Sequence, residues 1–165
     1  MEGVKEIWKD IPRAVAMKDN EQILHHAQRL SNDTTKDIFP KGYYWAQGYI
    51  GNKPDSLWKY TPVHTIHGTF LGHECNDKSY MKAYAIGLVD SGRLDTVVEY
   101  HTRICRSYRI SVTYELLDEV LKAASVHGKT ESLVSMFRNS VMWRSKYGRA
   151  PKFYRLLSKH LTPAP

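Results

Sequence analysis

The chain has 165 residues, with 24 Lys and Arg against 17 Asp and Glu, giving a formal net charge of +7. Eleven Tyr, four Trp and 42% apolar residues exclude a disordered chain, and two Cys exclude a disulfide framework. The length predicts one domain with one substantial core, and the absence of any run of 18 apolar residues predicts no membrane-spanning helix.

In chain order, Val4, Ile7, Trp8, Ile11 and Val15 recur at helical spacing and predict a first helix, with Pro12 expected to kink it. Lys18-Asp19-Asn20 reads as a turn. Ile23, Leu24, Ala27 and Leu30 then mark a second helix, so residues 1–36 read as a hairpin. The first ten residues hold Glu2, Glu6 and Asp10, unlike an acid-poor, Arg-rich mitochondrial presequence. An organellar protein would then use an internal signal or one outside this numbering.

Residues 37–78 hold five of the ten glycines, three of the seven prolines and eight of the nineteen aromatics. This segment reads as an irregular or degenerate repeat with aromatic-rich loops. Gly42-Tyr43-Tyr44-Trp45-Ala46-Gln47-Gly48-Tyr49 reads as a glycine-aromatic loop whose rings bury against helices or another subunit. Leu57-Trp58 is expected to begin a helix that Pro62 soon interrupts.

Residues 79–147 contain a repeat. Ser91-Gly92-Arg93-Leu94-Asp95-Thr96-Val97-Val98 matches His127-Gly128-Lys129-Thr130-Glu131-Ser132-Leu133-Val134, with Gly92 and Gly128 in register. A helical stretch carrying an early Tyr (Tyr80, Tyr114) precedes each glycine, and a second helix follows. Leu94, Val97, Val98, His101, Ile104 and Cys105 share one face of one following helix, and Leu133, Val134 and Phe137 do so in the next. Each unit reads as helix, glycine turn, helix, with the glycine at the position that needs φ > 0. Arg103, Arg106 and Arg109 recur every third residue and either extend a cationic surface or complement the helix C-terminus.

The charge is segregated. After Glu131 the chain has no acid, and Arg138, Arg144, Lys146, Arg149, Lys152, Arg155 and Lys159 place the whole of the +7 between Ser132 and Pro165. The stretch from Met1 to Glu131 carries 17 basic and 17 acidic side chains and is neutral. Residues 148–165 read as a basic C-terminal helix and tail, with Pro151 near the first turn. Phe153, Leu156, Leu157 and His160 fall on one face, Lys152, Arg155 and Lys159 on another. Such a face is either simply solvated or a docking surface for RNA, an anionic lipid surface or an acidic protein groove. Phe137, Trp143, Tyr147, Phe153 and Tyr154 among the cations favour nucleic acid, since rings and guanidinium groups stack on bases while cations neutralise phosphates.

The two units from Tyr80 to Tyr147 resemble pentatricopeptide repeats, above all in Ser91-Gly92-Arg93-Leu94-Asp95 and Val112-Thr113-Tyr114-Glu115-Leu116-Leu117. Tetratricopeptide repeats, the near alternative, need a Trp and a Leu-Gly pair in the first helix, which these units lack. The resemblance implies an all-α fold of stacked hairpins in a short solenoid. It also implies an organellar, mostly RNA-binding setting. The family's base-reading position falls on Lys82 and Glu115, and the units are too few to select a transcript. Short divergent members are similar to subunits of protist mitochondrial ribosomes, and one occurs in a mitochondrial ATP synthase.

Chemistry has few candidates. His64, His67, His73 and Cys75 place four zinc-competent side chains close together, with Glu74 as a nearby base, but lack the paired-knuckle spacing of zinc sites. They read as side chains of a polar loop, and no metal or cofactor is expected. His25, His26 and His101 read as polar residues at a core edge. Gly128-Lys129-Thr130 lacks the earlier glycine of a phosphate-binding loop, and no Gly-x-Ser-x-Gly elbow is present. The sequence therefore predicts a non-catalytic structural subunit of a mitochondrial ribonucleoprotein in the matrix, most simply the mitoribosome. It would contact rRNA through Arg138 to Lys159 and neighbouring proteins through its hairpins, and would not act as a free monomer. The alternative is a protein scaffold in a mitochondrial respiratory or ATP synthase complex.

Overall fold

The computed structural model describes residues 2–58, 63–64, 70–71, 78–107, 110–140 and 151–161. The fold is helical throughout the described residues apart from one short strand pair. Ten helices are formed among the described residues: α1 (Glu2–Ala16), α2 (Asn20–Leu30), α3 (Asp33–Ile38), α4 (Pro40–Ile50), α5 (Asp55–Trp58), α6 (Lys78–Asp90), α7 (Leu94–Ser107), α8 (Ile110–Val126), α9 (Thr130–Asn139) and α10 (Pro151–Leu161). Between α5 and α6, β1 (Val63–His64) and β2 (Phe70–Leu71) form a short antiparallel ladder pairing Val63 with Leu71 and His64 with Phe70. None of the helices is long and apolar enough to cross a membrane.

Three of the helix junctions share one chemistry. After α6, the Gly92 N–H bonds the Val89 carbonyl and the Arg93 N–H bonds the Leu88 carbonyl, at 2.9 and 2.8 Å. After α8, Gly128 and Lys129 repeat the pattern on Ser125 and Ala124. After α1, Lys18 and Asp19 do the same on Val15 and Ala14. This paired capping satisfies carbonyls that a helix end leaves orphaned, and it requires a left-handed residue. Gly92 and Gly128 take it at φ 79° and 66°, whereas Lys18 takes it at 57° and bears the Cβ cost. The repeat of glycines read from the sequence is thus a repeat of helix stops.

The stretch from Gly42 to Tyr49 departs from expectation: it is the interior of α4, not a loop. Pro40 occupies the first turn, where its missing N–H costs nothing, and Gly51 ends the helix at φ 97°. The glycines serve an interhelical contact. A Cβ on Gly48 would fall inside 3.0 Å of the Tyr84 carbonyl oxygen and at 3.0 Å from the Leu88 nitrogen. A Cβ on Gly87 would meet the Trp45 backbone in the same way. Two helices therefore approach backbone to backbone, which is possible only where both lack side chains. Glycine lowers helix propensity by about 1 kcal/mol, so local reading gives a loop and tertiary packing overrides it.

α4 and α6 lie side by side and α6 is followed by α8. α6 and α8 run in the same direction, because Lys82 meets Glu115 near their starts while Asp90 meets His127 near their ends. α7 and α9 pack on each other and on α8. One core cluster, including Tyr84, Leu88, Tyr100, Leu117, Val120 and Phe137, fills the space among α6 to α9. A second, including Ile7, Ile11, Ile23, Leu30 and Trp45, joins α1 and α2 to α4. Adjacent residues of α4 face the two clusters, Tyr44 one and Trp45 the other. α1 continues as a helix through Pro12.

Candidate nucleic-acid interface

The cationic end is anchored to the fold by α10, which packs on α8 and α9. Leu157 is fully buried in the larger core cluster, with Leu156 and Leu161 partly buried beside it. His160 Nε2 hydrogen-bonds Asp118 Oδ1 at 2.7 Å, and Lys159 Nζ lies 3.8 Å from the same oxygen. Lys122, one turn after Asp118 on α8, reaches its other oxygen at 3.1 Å. Burial works against the Asp118 charge, but hydrogen bonds from His160 and Lys122 and the charges of Lys122 and Lys159 outweigh it. The carboxyl is held below its usual range. Lys122 is raised, first by its hydrogen bond to Asp118 and then by the Asp118 and Glu119 charges.

One carboxylate therefore gathers three basic side chains from two helices. Lys159 and His160 also sit in the last turn of α10, where positive charge complements the helix dipole. With Leu157 turned into the core, Arg155 and Lys159 are exposed; the Lys159 side chain keeps 65% of its accessible surface. Arg138 is exposed at the end of α9. Lys152 belongs to α10, but its side chain lies outside the described residues, as do Arg144, Lys146 and Arg149 entirely. Three of the seven predicted RNA-contacting side chains are thus described, all exposed and all on the two elements that meet at this end.

The position that the repeat resemblance assigns to base reading is otherwise engaged. Glu115 holds Lys78 at 3.5 Å and Lys82 at 3.7 Å across the α6–α8 junction. These are largely solvated pairs, worth little in stability.

His67, His73 and Cys75 lie outside the described residues, as does the side chain of His64 in β1, and the Cys105, Arg106 and Arg109 side chains do likewise. No group of three metal-competent side chains occurs among the described residues. Arg103 donates from Nε to the Trp58 carbonyl, fastening α7 to α5. His101 is buried completely, not at a core edge: its Nε2 bonds the Thr113 carbonyl at 2.9 Å and its ring meets Phe137 edge-on. His26 is buried and bonds Gln22 at 3.0 Å. Burial holds its pKa below the ordinary value, more than the nearby Asp10 restores.

Two polar clusters escaped sequence reasoning. Asp90 accepts from Trp45 Nε1 at 2.9 Å and pairs with His127 Nε2 at 2.8 Å, joining α4, α6 and the turn after α8. Its signal was present: an acid at the last residue of a helix opposes the dipole and calls for a partner. Tyr84 Oη donates to the Asn52 carbonyl and accepts from Trp58 Nε1, each at 2.7 Å. Burial pushes its pKa up to about 12 against the Trp58 hydrogen bond. Comparison with protein-family models, with curated proteins and with solved structures finds no match for this chain.

Proposed function

We propose that the chain is a non-catalytic structural subunit of a mitochondrial ribonucleoprotein, most simply the mitoribosome. In this reading the hairpins stack as a short solenoid akin to pentatricopeptide repeats, and the cationic end docks on rRNA phosphates. The observation that carries it is the anchoring of α10: Leu157 and the Asp118 cluster hold the helix so that Arg155 and Lys159 stay exposed beside Arg138. A preorganised cationic face loses less conformational entropy on meeting a polyanion than a loose tail does. Phosphate contact requires no base readout, which fits the engagement of Lys82 by Glu115.

Gradient sedimentation of the native protein with and without nuclease tests the proposal. Migration with a large particle that nuclease disperses supports it. Migration with a nuclease-resistant assembly selects instead a protein scaffold in a respiratory or ATP synthase complex. That second reading is favoured by the Lys78–Glu115–Lys82 pairing, which leaves the face of α6 and α8 with one of those two positive charges uncompensated.

A further inference from the structure

An open trough runs beside α6 and meets the α10 anchor at Lys122, which lines it and also pairs with Asp118. Four helices line it, α1, α4, α6 and α8. α1 contributes Trp8, Ile11, Pro12 and Val15, which stand at i, i+3, i+4 and i+7. α8 contributes Glu119, Lys122, Ala123 and Val126 at the same spacing. The floor is α6, through Ala83, Ile86 and Asp90, with Trp45 of α4 beside it. The apolar part encloses about 410 Å³. A second hollow of about 670 Å³ continues it toward the start of α6, shares Lys41, Ala83, Ile86 and Glu119, and adds Lys78, Ser79 and Lys82.

We propose that this trough is the docking groove for one amphipathic helix of a partner protein, with acidic side chains at one end of that helix. Two stripes at i, i+3, i+4 and i+7, on α1 and α8, flank a floor made by α6 and α4, a shape that suits one added helix laid between the walls. Val126, 57% exposed on one wall, is a large hydrophobe without cover among the described residues.

Charge selects the acidic partner. At the second hollow, Lys78 and Lys82 share the single carboxylate of Glu115, and Lys41 has no ion pair among the described residues. Glu119, which lines both hollows, lies 3.9 Å from Lys122, itself 3.1 Å from Asp118, so three lysines (Lys41, Lys78 and Lys82) face the two carboxylates of Glu115 and Glu119 at that end. The surplus at that end is positive, which matches an acidic terminus lying over an apolar stripe. The proposal stands without the RNA reading, since it uses neither α10 nor Arg138.

The test uses the full chain and a fluorescein-labelled peptide of about 14 residues, close to the length of α6. The peptide carries Leu at i, i+3, i+4, i+7 and i+11 and two Glu at one end. Comparison peptides are a scrambled sequence and one with Lys in place of Glu. Saturable anisotropy is expected for the Glu peptide. Val126→Glu should weaken it by about tenfold or more, as loss of an apolar anchor does. Lys41→Glu should weaken the Glu peptide about fivefold and leave the Lys peptide no weaker. Both positions are exposed, and circular dichroism confirms that the variants fold. Binding no tighter than the scrambled peptide, or binding unchanged by Val126→Glu, overturns the proposal. So does decanoate binding that Val126→Glu abolishes while the peptide stays unbound, which assigns the trough to a small amphiphile. A dimer that Val126→Glu dissociates, with no peptide binding, overturns it in favour of a second copy.

Discussion

Gly48→Ala separates the packing account of α4 from its local propensity. On propensity alone, an added methyl in a helix interior stabilises by about 1 kcal/mol. The structure predicts the opposite sign. The new Cβ would meet the Tyr84 carbonyl oxygen and the Leu88 nitrogen, which are backbone atoms that no rotamer change can clear. Relief therefore requires α4 and α6 to part by roughly 0.5–1 Å, which forfeits a quarter to a half of each dispersion contact along the junction. Overpacking of this kind costs about 1–3 kcal/mol, so after the propensity gain Gly48→Ala should lose about 1–2 kcal/mol. Gly87→Ala meets the Trp45 backbone and should lose a similar amount. Because one separation of the helices relieves both clashes, the double variant should fall short of the sum by about 0.5 kcal/mol or more. Gly3→Ala, whose Cβ meets nothing within 4 Å, is the control and should not destabilise. Urea unfolding followed by circular dichroism measures all four. A stabilised Gly48→Ala would refute the close approach of α4 and α6.

Asp118→Asn should release α10 at a cost of about 1–2 kcal/mol, since a charged hydrogen-bond acceptor is lost at a half-buried site. The lowered Asp118 pKa makes its contribution complete above the unfolded carboxyl value of 3.8, and it fades as pH falls through the lower folded value. The variant should therefore lack that acid-side loss in pH-dependent unfolding. His26, lowered by burial, is bound to fewer protons when folded, so stability should decline as pH drops from 6.5 toward its folded value. His26→Leu should flatten that slope in unfolding measured from pH 7 to 5. Tyr84→Phe leaves Trp58 Nε1 without its buried acceptor and should cost about 1–3 kcal/mol in urea unfolding. In the unmodified chain the Tyr84 value of about 12 lies above the unfolded 10.0, so its contribution is lost as pH rises from 10 through 12.

The all-helical class was legible because Val4 to Leu30 and Leu94 to Phe137 carry strong helical periodicity, and those helices form where that period places them. The turns at Gly92 and Gly128 were legible because one residue type suits a left-handed stop. α4 was not, because Gly42 and Gly48 look like breakers, and the partner that explains Gly48, Gly87 on α6, is distant in the chain. The same limit hid the Asp118 cluster, whose His160 partner stands 42 positions further on. At the candidate interface, sequence located the charge between Ser132 and Pro165, and the i, i+4 spacing of Arg155 and Lys159 gave their shared face. What it could not supply was the anchor: Leu157 and His160 are ordinary residues of an amphipathic helix, and only their seat on α8 gives that helix a fixed orientation.

The most direct test of the RNA proposal is the salt dependence of affinity for single-stranded RNA, comparing the native chain with Arg138→Gln/Arg155→Gln/Lys159→Gln. Each phosphate contact contributes about 0.7 to the slope of log affinity against log salt, so losing three should flatten the slope by about 2 and weaken binding at low salt. Equal affinity and equal slope in the two proteins would contradict the assignment of the cationic end to RNA.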